Sequence, residues 1–471
     1  MLRGILKRTG CLMLTAALSM AVFTGCGDNE ASSDVTTIRV WSNAGATKEA
    51  MTKMVNDFNN TTGKEKGIKV EYSVYGDDYS TVADLAFQNE QAPEIIKVNG
   101  SKKPYVEKGD IIPINDMPGG QEFLDEYGFT PLEGDDTFDG KTYFVPAEVT
   151  TTGLVYNKDL FKKAGIVDEN GEALPPKTWE EVREYAKRIT DKDNMVYGIS
   201  LPLKWSDFFN YMISSPFSAS YEDIAGIDYE NLTYSYEQYK YPLEWLLQIK
   251  EDGSFFPGAE GLDNDMSRAQ FAEGRIGMFL SQSWDVGVLT TQFVANCDWG
   301  VVPAPVINEG ERYPTKEMVS GLFCISKSAK NTDMEKVMEV YKLFHSKELQ
   351  QSLYEQGLSI PYRTEVIESA NTENMLPQWV EFGKMVDPSF MRKVSPSLKL
   401  EGEKIGPMVL KVWAGTMTVD ECIKDATERY TAALRSGVED GSIDQEFFLN
   451  QQRQQEQLKQ QNQQQNQQQN Q

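Results

Sequence analysis

Thr37-Ile38-Arg39-Val40-Trp41 and the sixty residues after it decide the fold. The five residues are rich in β-branched and aromatic side chains and break at Ser42-Asn43-Ala44-Gly45, so they read as a strand and its turn. Met51, Met54, Val55 and Phe58 then recur at i, i+3, i+4 and i+7, one face of a helix that Gly63 is expected to close. Ile68, Val70, Tyr72 and Val74 alternate, the pattern of a half-buried strand. A second helix fits Tyr79 to Phe87, and Glu94-Ile95-Ile96-Lys97-Val98 is a short strand ending at Asn99-Gly100. Strand, helix, strand, helix, strand predicts a parallel sheet covered on both faces, an α/β fold. Ligands of such sheets gather at the carboxyl ends of strands, here Trp41, Ser42, Asn43 and Asn99.

The middle of the chain repeats this grammar. Pro175-Pro176-Lys177-Thr178-Trp179-Glu180-Glu181 starts a helix, with Thr178 and Glu181 spaced as a capping box and Trp179, Val182, Tyr185, Ala186 and Ile189 as the buried face. Ala269 to Arg275 ends another helix with Gly274 at its stop, and Ile276-Gly277-Met278-Phe279-Leu280 follows as a buried strand. Residues 37–440 are too many for a single core, which predicts two domains. No internal repeat is visible. Neither GxxxxGK[ST] nor GxGxxG occurs, so nucleotide sites have no support.

The ends speak of compartment. Arg3, Lys7 and Arg8 precede an apolar run from Cys11 to Phe23, too short for the roughly 20 residues of a membrane span and suited to a signal-peptide core. Phe23-Thr24-Gly25-Cys26 resembles a bacterial lipobox, with Phe23 where Leu is usual. The expectation is a signal peptide over 1–25, acylation of Cys26, and a small, polar, acidic tether over 26–36. From Gln451 to Gln471 nearly every residue is Gln or Asn, and residues 441–471 are expected to be a disordered tail.

The net charge is −25, and removing the first 25 residues takes away three cations and no acid. A chain this acidic repels phosphate backbones and anionic lipid, so nucleic acid is excluded as a partner and membrane contact falls to the acyl anchor. Cys297, Cys324 and Cys422 are an odd trio without CxxC; Cys297 and Cys324 could pair if their strands adjoin, but buried free thiols are the preferred reading. His345 is the only histidine, which removes HExxH and His-rich metal sites, and its helical context suggests a surface or helix-end position. No cofactor or metal is expected.

Several blocks, in this order, carry a family resemblance: Gln91-Ala92-Pro93-Glu94-Ile95, Tyr105 to Ile114, Gly140-Lys141-Thr142-Tyr143-Phe144-Val145-Pro146, Leu154 to Phe161, the Thr178-Trp179 helix start, Phe271 to Met278, Ser283-Trp284, Trp299 to Pro305, Gly357 to Arg363, and Val412-Trp413-Ala414-Gly415. Together, over roughly residues 37–436, they resemble the family 1 extracellular solute-binding proteins, relatives of maltose-binding protein. The resemblance implies a periplasmic-binding-protein-like type II fold, with two hinge-linked lobes and a ligand cleft between them. It places lobe 1 at 37–149 plus 302–347 and lobe 2 at 150–301 plus 348–440, with crossovers near 147–154, 299–304 and 346–350. It implies a monomeric capture subunit of an ABC importer, partnered by permease subunits, lipid-anchored at the outer face of a bacterial cell membrane, and not an enzyme.

A sugar offers hydroxyls that need partners and C–H faces that lie on aromatic rings, so its site mixes Trp or Tyr with short polar side chains. By position and by the resemblance, the candidate ligand contacts are Trp41, Ser42, Asn43, Asn99, Glu148, Thr150, Trp205, Phe217, Trp284, Asp285, Tyr362, Arg363 and Trp413, with Asp285 accepting two hydroxyl protons and Trp284 stacking. The rival readings are the same fold with peptide, amino acid, polyamine or metal cargo, a surface glycoside hydrolase with paired carboxylates, and a glycan-adhesion module without a transporter.

Overall fold

A computed structural model describes residues 35–43, 45–76, 78–98, 100–204, 226–309, 318–320, 322–386, 392–454 and 456–457. Along them run β1 (Thr36–Ser42), β2 (Ile68–Val74), β3 (Ile95–Lys97), β4 (Ile111–Ile112), β5 (Thr137–Phe138), β6 (Lys141–Thr142), β7 (Glu148–Thr150) and β8 (Thr152–Asn157). They continue as β9 (Tyr197–Ser200), β10 (Gly226–Asp228), β11 (Thr233–Ser235), β12 (Ile276–Gln282), β13 (Trp299–Pro303), β14 (Met318–Ser320), β15 (Phe323–Ser326) and β16 (Ile360–Pro361).

The opening of the chain builds the first sheet, ordered β2-β1-β3-β15-β4. β1 pairs in parallel with β2, Thr36 opposite Ile68, and with β3, Val40 opposite Ile95. β15 returns from far along the chain and inserts antiparallel between β3 and β4. Alternate residues serve opposite faces. Ile38, Val40, Ile68, Val70 and Ile95 meet the helix Lys48–Asn60 on one side, while Ile96 and Cys324 meet the helix Tyr79–Gln88 on the other. Met51, Val55 and Phe58 are the buried stripe of the first helix.

Gly63 does not stop that helix. The chain kinks at Thr61 and resumes as the helix Thr62–Lys66, which ends at Gly67 with φ 62°. A Cβ at Gly63 would stand 2.8 Å from the Ile68 carbonyl oxygen and 2.9 Å from the Phe58 ring. Gly63 therefore serves close packing, and Gly67 supplies the left-handed stop.

The second sheet is ordered β13-β8-β12-β9, with β8 antiparallel to both β12 and β13 and β12 parallel to β9. It too carries apolar cores on both faces. Leu154, Met278 and Leu280 join one core with the helices Trp179–Ile189, Lys240–Asp252 and Ile405–Ala414; Val155, Phe279 and Val301 join the other with Phe382 and Trp379. Thr178 and Glu181 form the expected capping box. A three-stranded sheet, β14-β7-β16, collects short strands from three separate stretches, and β7 runs on into β8.

The structure decides three expectations. His345 does stand at a helix end, capping Met334–Phe344, but it is buried against Tyr341, Tyr127, Phe123 and Phe323 rather than at the surface. Cys297 and Cys324 are free thiols, the reading preferred from the sequence: Cys324 is buried with its Sγ against the Ile96 carbonyl, while Cys297 is only half-buried. The C-terminal region stays folded well past 441. Residues 445–454 are helical, Ile443 and Phe448 are buried in the second-sheet core, and Phe448 stacks on Tyr229 at 5.2 Å.

Candidate ligand-binding site

The chain from Glu148 to Tyr156 forms one wall. Val149 and Val155 lie in the core on one face, Thr151 donates to the Phe382 carbonyl on that same face, and Gly153 has room for no more than hydrogen against Met385 and Val301 there. Strand alternation then sends Glu148, Thr150 and Thr152 to the opposite face, in line with Leu154 and Tyr156, which enter the other core. The result is a face that is apolar at its inner end and polar where β7 and β8 meet. Gln282, the last residue of β12, sits directly opposite Thr152 and extends the polar patch.

Trp284 follows two residues later, at the N-terminus of the helix Asp285–Thr291, with Ser283 tied to the Thr151 carbonyl at 2.9 Å. It is 39% exposed, unusual for an indole in a chain that buries Trp179, Trp245, Trp299, Trp379 and Trp413. A large, rigid apolar surface left open beside buried polar groups suits a ligand that is apolar on one face and hydroxylated at its edge.

A second group of candidates stands at the end of β1. Trp41 packs against Tyr75 with ring centroids 4.9 Å apart, and Tyr75 against Tyr79 at 6.0 Å. Tyr79 donates to the Lys97 and Trp41 carbonyls, which pins the ends of β1 and β3 together. Ser42 is buried and its carbonyl accepts from the Tyr75 N–H. The Asn43 side-chain oxygen is buried with no hydrogen-bond partner among the described residues. Asn99, Trp205 and Phe217 lie outside the described residues.

Four candidates are engaged within the protein. Asp285 is buried; Arg268 holds one carboxylate oxygen and the Ser281 hydroxyl donates to the other at 2.6 Å. Burial pushes its carboxyl above the ordinary aspartate range, while Arg268 and Ser281 oppose the shift. The two acceptor positions expected to face a ligand are thus taken. Arg363 is 7% exposed, donates to Gln350 Oε1 at 3.1 Å and the His345 carbonyl at 3.2 Å, and lies 4.4 Å over the Tyr127 ring. Trp413 is buried in the core against Phe255, with Lys250 over its ring and its indole N–H directed to Glu260. Tyr362 is half-buried, its N–H bonded to the Ala147 carbonyl and its ring 6.0 Å from the Arg392 guanidinium.

Thr152, Gln282 and Tyr75 were not singled out from the sequence. A signal for Thr152 was present, since it continues the alternation through Glu148 and Thr150. Gln282 could be found only through the register of β12 on β8.

The architecture is that of a two-lobe α/β binding protein, each lobe a sheet covered on both faces. Residues 44–351 match the bacterial extracellular solute-binding protein family, and the chain belongs to that family. Among relatives, it is 28% identical over 286 residues to an sn-glycerol-3-phosphate-binding periplasmic protein of Brucella suis, covering 59% of this chain and 63% of that one. It is 26% identical over 296 residues to a maltotriose-binding protein of Pyrococcus abyssi, covering 61% of this chain and 56% of that one. The matched region thus spans about three-fifths of the length of these relatives. Similar folds include a maltose/maltodextrin-binding domain of Bdellovibrio bacteriovorus bound to maltotriose (TM-score 0.59, 18% identity, 85% of this chain and 100% of that one). An ABC transporter solute-binding protein of Thermotoga lettingae bound to α-D-tagatose gives TM-score 0.58 at 21% identity, again with 85% and 100% coverage. No helix among the described residues is long and apolar enough to cross a membrane.

Proposed function

We propose that this chain is the capture subunit of an ABC importer and that it binds an uncharged sugar or oligosaccharide between its lobes. In this reading Cys26 carries the lipid that holds it at the outer face of the cell membrane, and the monomer presents its cargo to permease subunits without transforming it. Trp41, Asn43, Glu148, Thr150 and Trp284 are the proposed contacts that fall on described residues.

The observation that carries the reading is Trp284, open at the edge of a polar wall. An indole stacks on the C–H face of a pyranose while Thr and Glu oxygens pair with its hydroxyls. The names of the relatives allow two ligand chemistries, neutral oligosaccharide and phosphate ester. Thr150, Thr152, Gln282 and Trp284 include no cation, and Arg268, in the helix Asn264–Ala272, is held by Asp265 and Asp285. A desolvated phosphate dianion needs an available positive charge or several aligned donors, so this wall favours the neutral ligand.

Binding energy can close the lobes only to the extent that the ligand prefers the closed form. A thermal-shift screen against neutral mono- and oligosaccharides, sn-glycerol-3-phosphate, short peptides and polyamines tests the ligand class. The expected result is stabilisation by a sugar, a smaller scattering radius at saturation, and an affinity lowered about tenfold or more in Trp284→Ala without loss of fold. Stabilisation by the phosphate ester alone, by a peptide or by a polyamine overturns the sugar reading, and unaltered affinity in Trp284→Ala removes its stacking platform.

A further inference from the structure

Gln282 closes β12 and Thr152 opens β8, and the two are direct partners in the antiparallel pair. Directly opposed residues project to the same face, near enough to touch. Gln282 is 1% exposed and Thr152 is 2% exposed. Yet among the described residues the Gln282 amide oxygen, the Gln282 amide nitrogen and the Thr152 hydroxyl all lack a hydrogen-bond partner. Buried polar atoms are nearly always paired, because leaving them unpaired destabilises the fold. Two residues further in along each strand, Leu280 faces Leu154 on the same side, both buried and apolar. The strand pair thus accepts an apolar couple without difficulty, and the folded core does not demand the polar one.

We propose that Gln282 and Thr152 form a hydroxyl socket that selects the end of the ligand entering it. An amide accepts a hydrogen bond through its oxygen and donates one through its nitrogen, from two atoms on the same carbon. Two hydroxyls on adjacent carbons present the matching donor and acceptor, and the Thr152 hydroxyl completes the set in either role. The ligand class for the socket is therefore a vicinal diol. A phosphate or carboxylate placed there would be desolvated with no charge to compensate it. This rests on the reading of the chain as a sugar binder and sharpens it to the group recognised. The competing account is a buried water shared by the three atoms, with no part in ligand choice.

Gln282→Met and Thr152→Val keep shape and remove the polar atoms. Wild type and both variants are titrated calorimetrically with a panel of neutral mono- and oligosaccharides and with sn-glycerol-3-phosphate, and each is unfolded in urea without ligand. The expected result is affinity for the preferred sugar lowered about tenfold to a hundredfold in each variant, with ligand-free stability unchanged or raised. Equal affinities in wild type and variants overturn the socket and leave the sugar reading standing. Lower ligand-free stability in both variants also overturns it, because the atoms then have structural partners. A wild type that binds no sugar ends the parent reading and the socket with it, a result seen before any substitution is made.

Discussion

Arg392 donates to the fully buried carboxylate of Asp136 across 256 residues of chain. Arg392 also reaches Asp135 and the Thr130 carbonyl, while Lys102 sits 2.7 Å from Asp135 and 3.8 Å from Asp136. Two cations therefore face two carboxylates. Val394 and Leu398, just beyond Arg392, pack into the second-sheet core; Phe129 and Phe138, on either side of Asp136, pack against the first. The ion pair joins the two halves.

Removing one partner of a buried pair leaves the other charged and desolvated. Burial already pushes the Asp136 carboxyl above its ordinary range, with Arg392 opposing the shift. Arg392→Ala should destabilise by about 3–5 kcal/mol, whereas Arg392→Met with Asp136→Asn should recover much of that loss. Urea unfolding of the single and double variants measures the coupling, and simple additivity would show that the pair does not interact.

His345 predicts a pH dependence. Burial among Tyr341, Tyr127 and Phe123, with the Arg363 guanidinium bonded to its own carbonyl, lowers its pKa to about 4. A buried base with a depressed pKa lets the unfolded chain take up the proton first. Stability is therefore full above the unfolded pKa of roughly 6.5 and falls as pH drops toward 4. Between pH 7 and pH 5 this single residue should remove about 2 kcal/mol. His345→Gln should flatten that part of the profile, and equal slopes in both proteins would assign the loss to carboxylates instead.

Local rules carried much of the fold. The strand alternation of Ile68 to Val74, the helical stripe Met51-Val55-Phe58 and the Thr178–Glu181 capping box each depend on residues within one turn or strand, so they can be read directly. Gly63 was misread because a glycine after an apolar stripe signals a stop, and nothing local reveals the Phe58 ring and Ile68 carbonyl pressed against it. The site was less legible. Whether a polar residue is free to meet a ligand depends on distant partners: Arg268 decides for Asp285, Gln350 and Tyr127 for Arg363, and Glu260 with Phe255 for Trp413. Trp284, left open, and Trp413, enclosed, look alike in sequence.

That distinction is testable at Arg363. Its fork links Gln350 and the His345 carbonyl while its plane covers Tyr127, and Gln350 in turn donates to Tyr127 Oη at 2.9 Å. Lysine keeps the charge but loses the planar fork and the stacking. Arg363→Lys should lower stability by about 1–3 kcal/mol with ligand affinity nearly unchanged, the reverse of Trp284→Ala. Calorimetry showing a tenfold loss of affinity in Arg363→Lys at unaltered stability would return Arg363 to the ligand contacts.

The C-terminal helix makes the last prediction. Phe448 is buried and stacks on Tyr229, Gln445 donates to the Tyr229 carbonyl, and Gln451 donates to the Glu133 carbonyl at 2.8 Å. A Cβ on Gly134 would meet the Phe447 ring at 2.8 Å, so this helix also rests against the segment that carries Asp135 and Asp136. A dispensable tail beginning at 441 would make Phe448 neutral. Deleting a buried aromatic ring instead leaves a cavity, and Phe448→Ala should cost about 3 kcal/mol or more. Truncation after residue 443 should cost at least as much, because it removes Phe447, Phe448 and both glutamine bonds together. Urea midpoints of the two variants equal to that of the intact chain would return residues 444–454 to the tail.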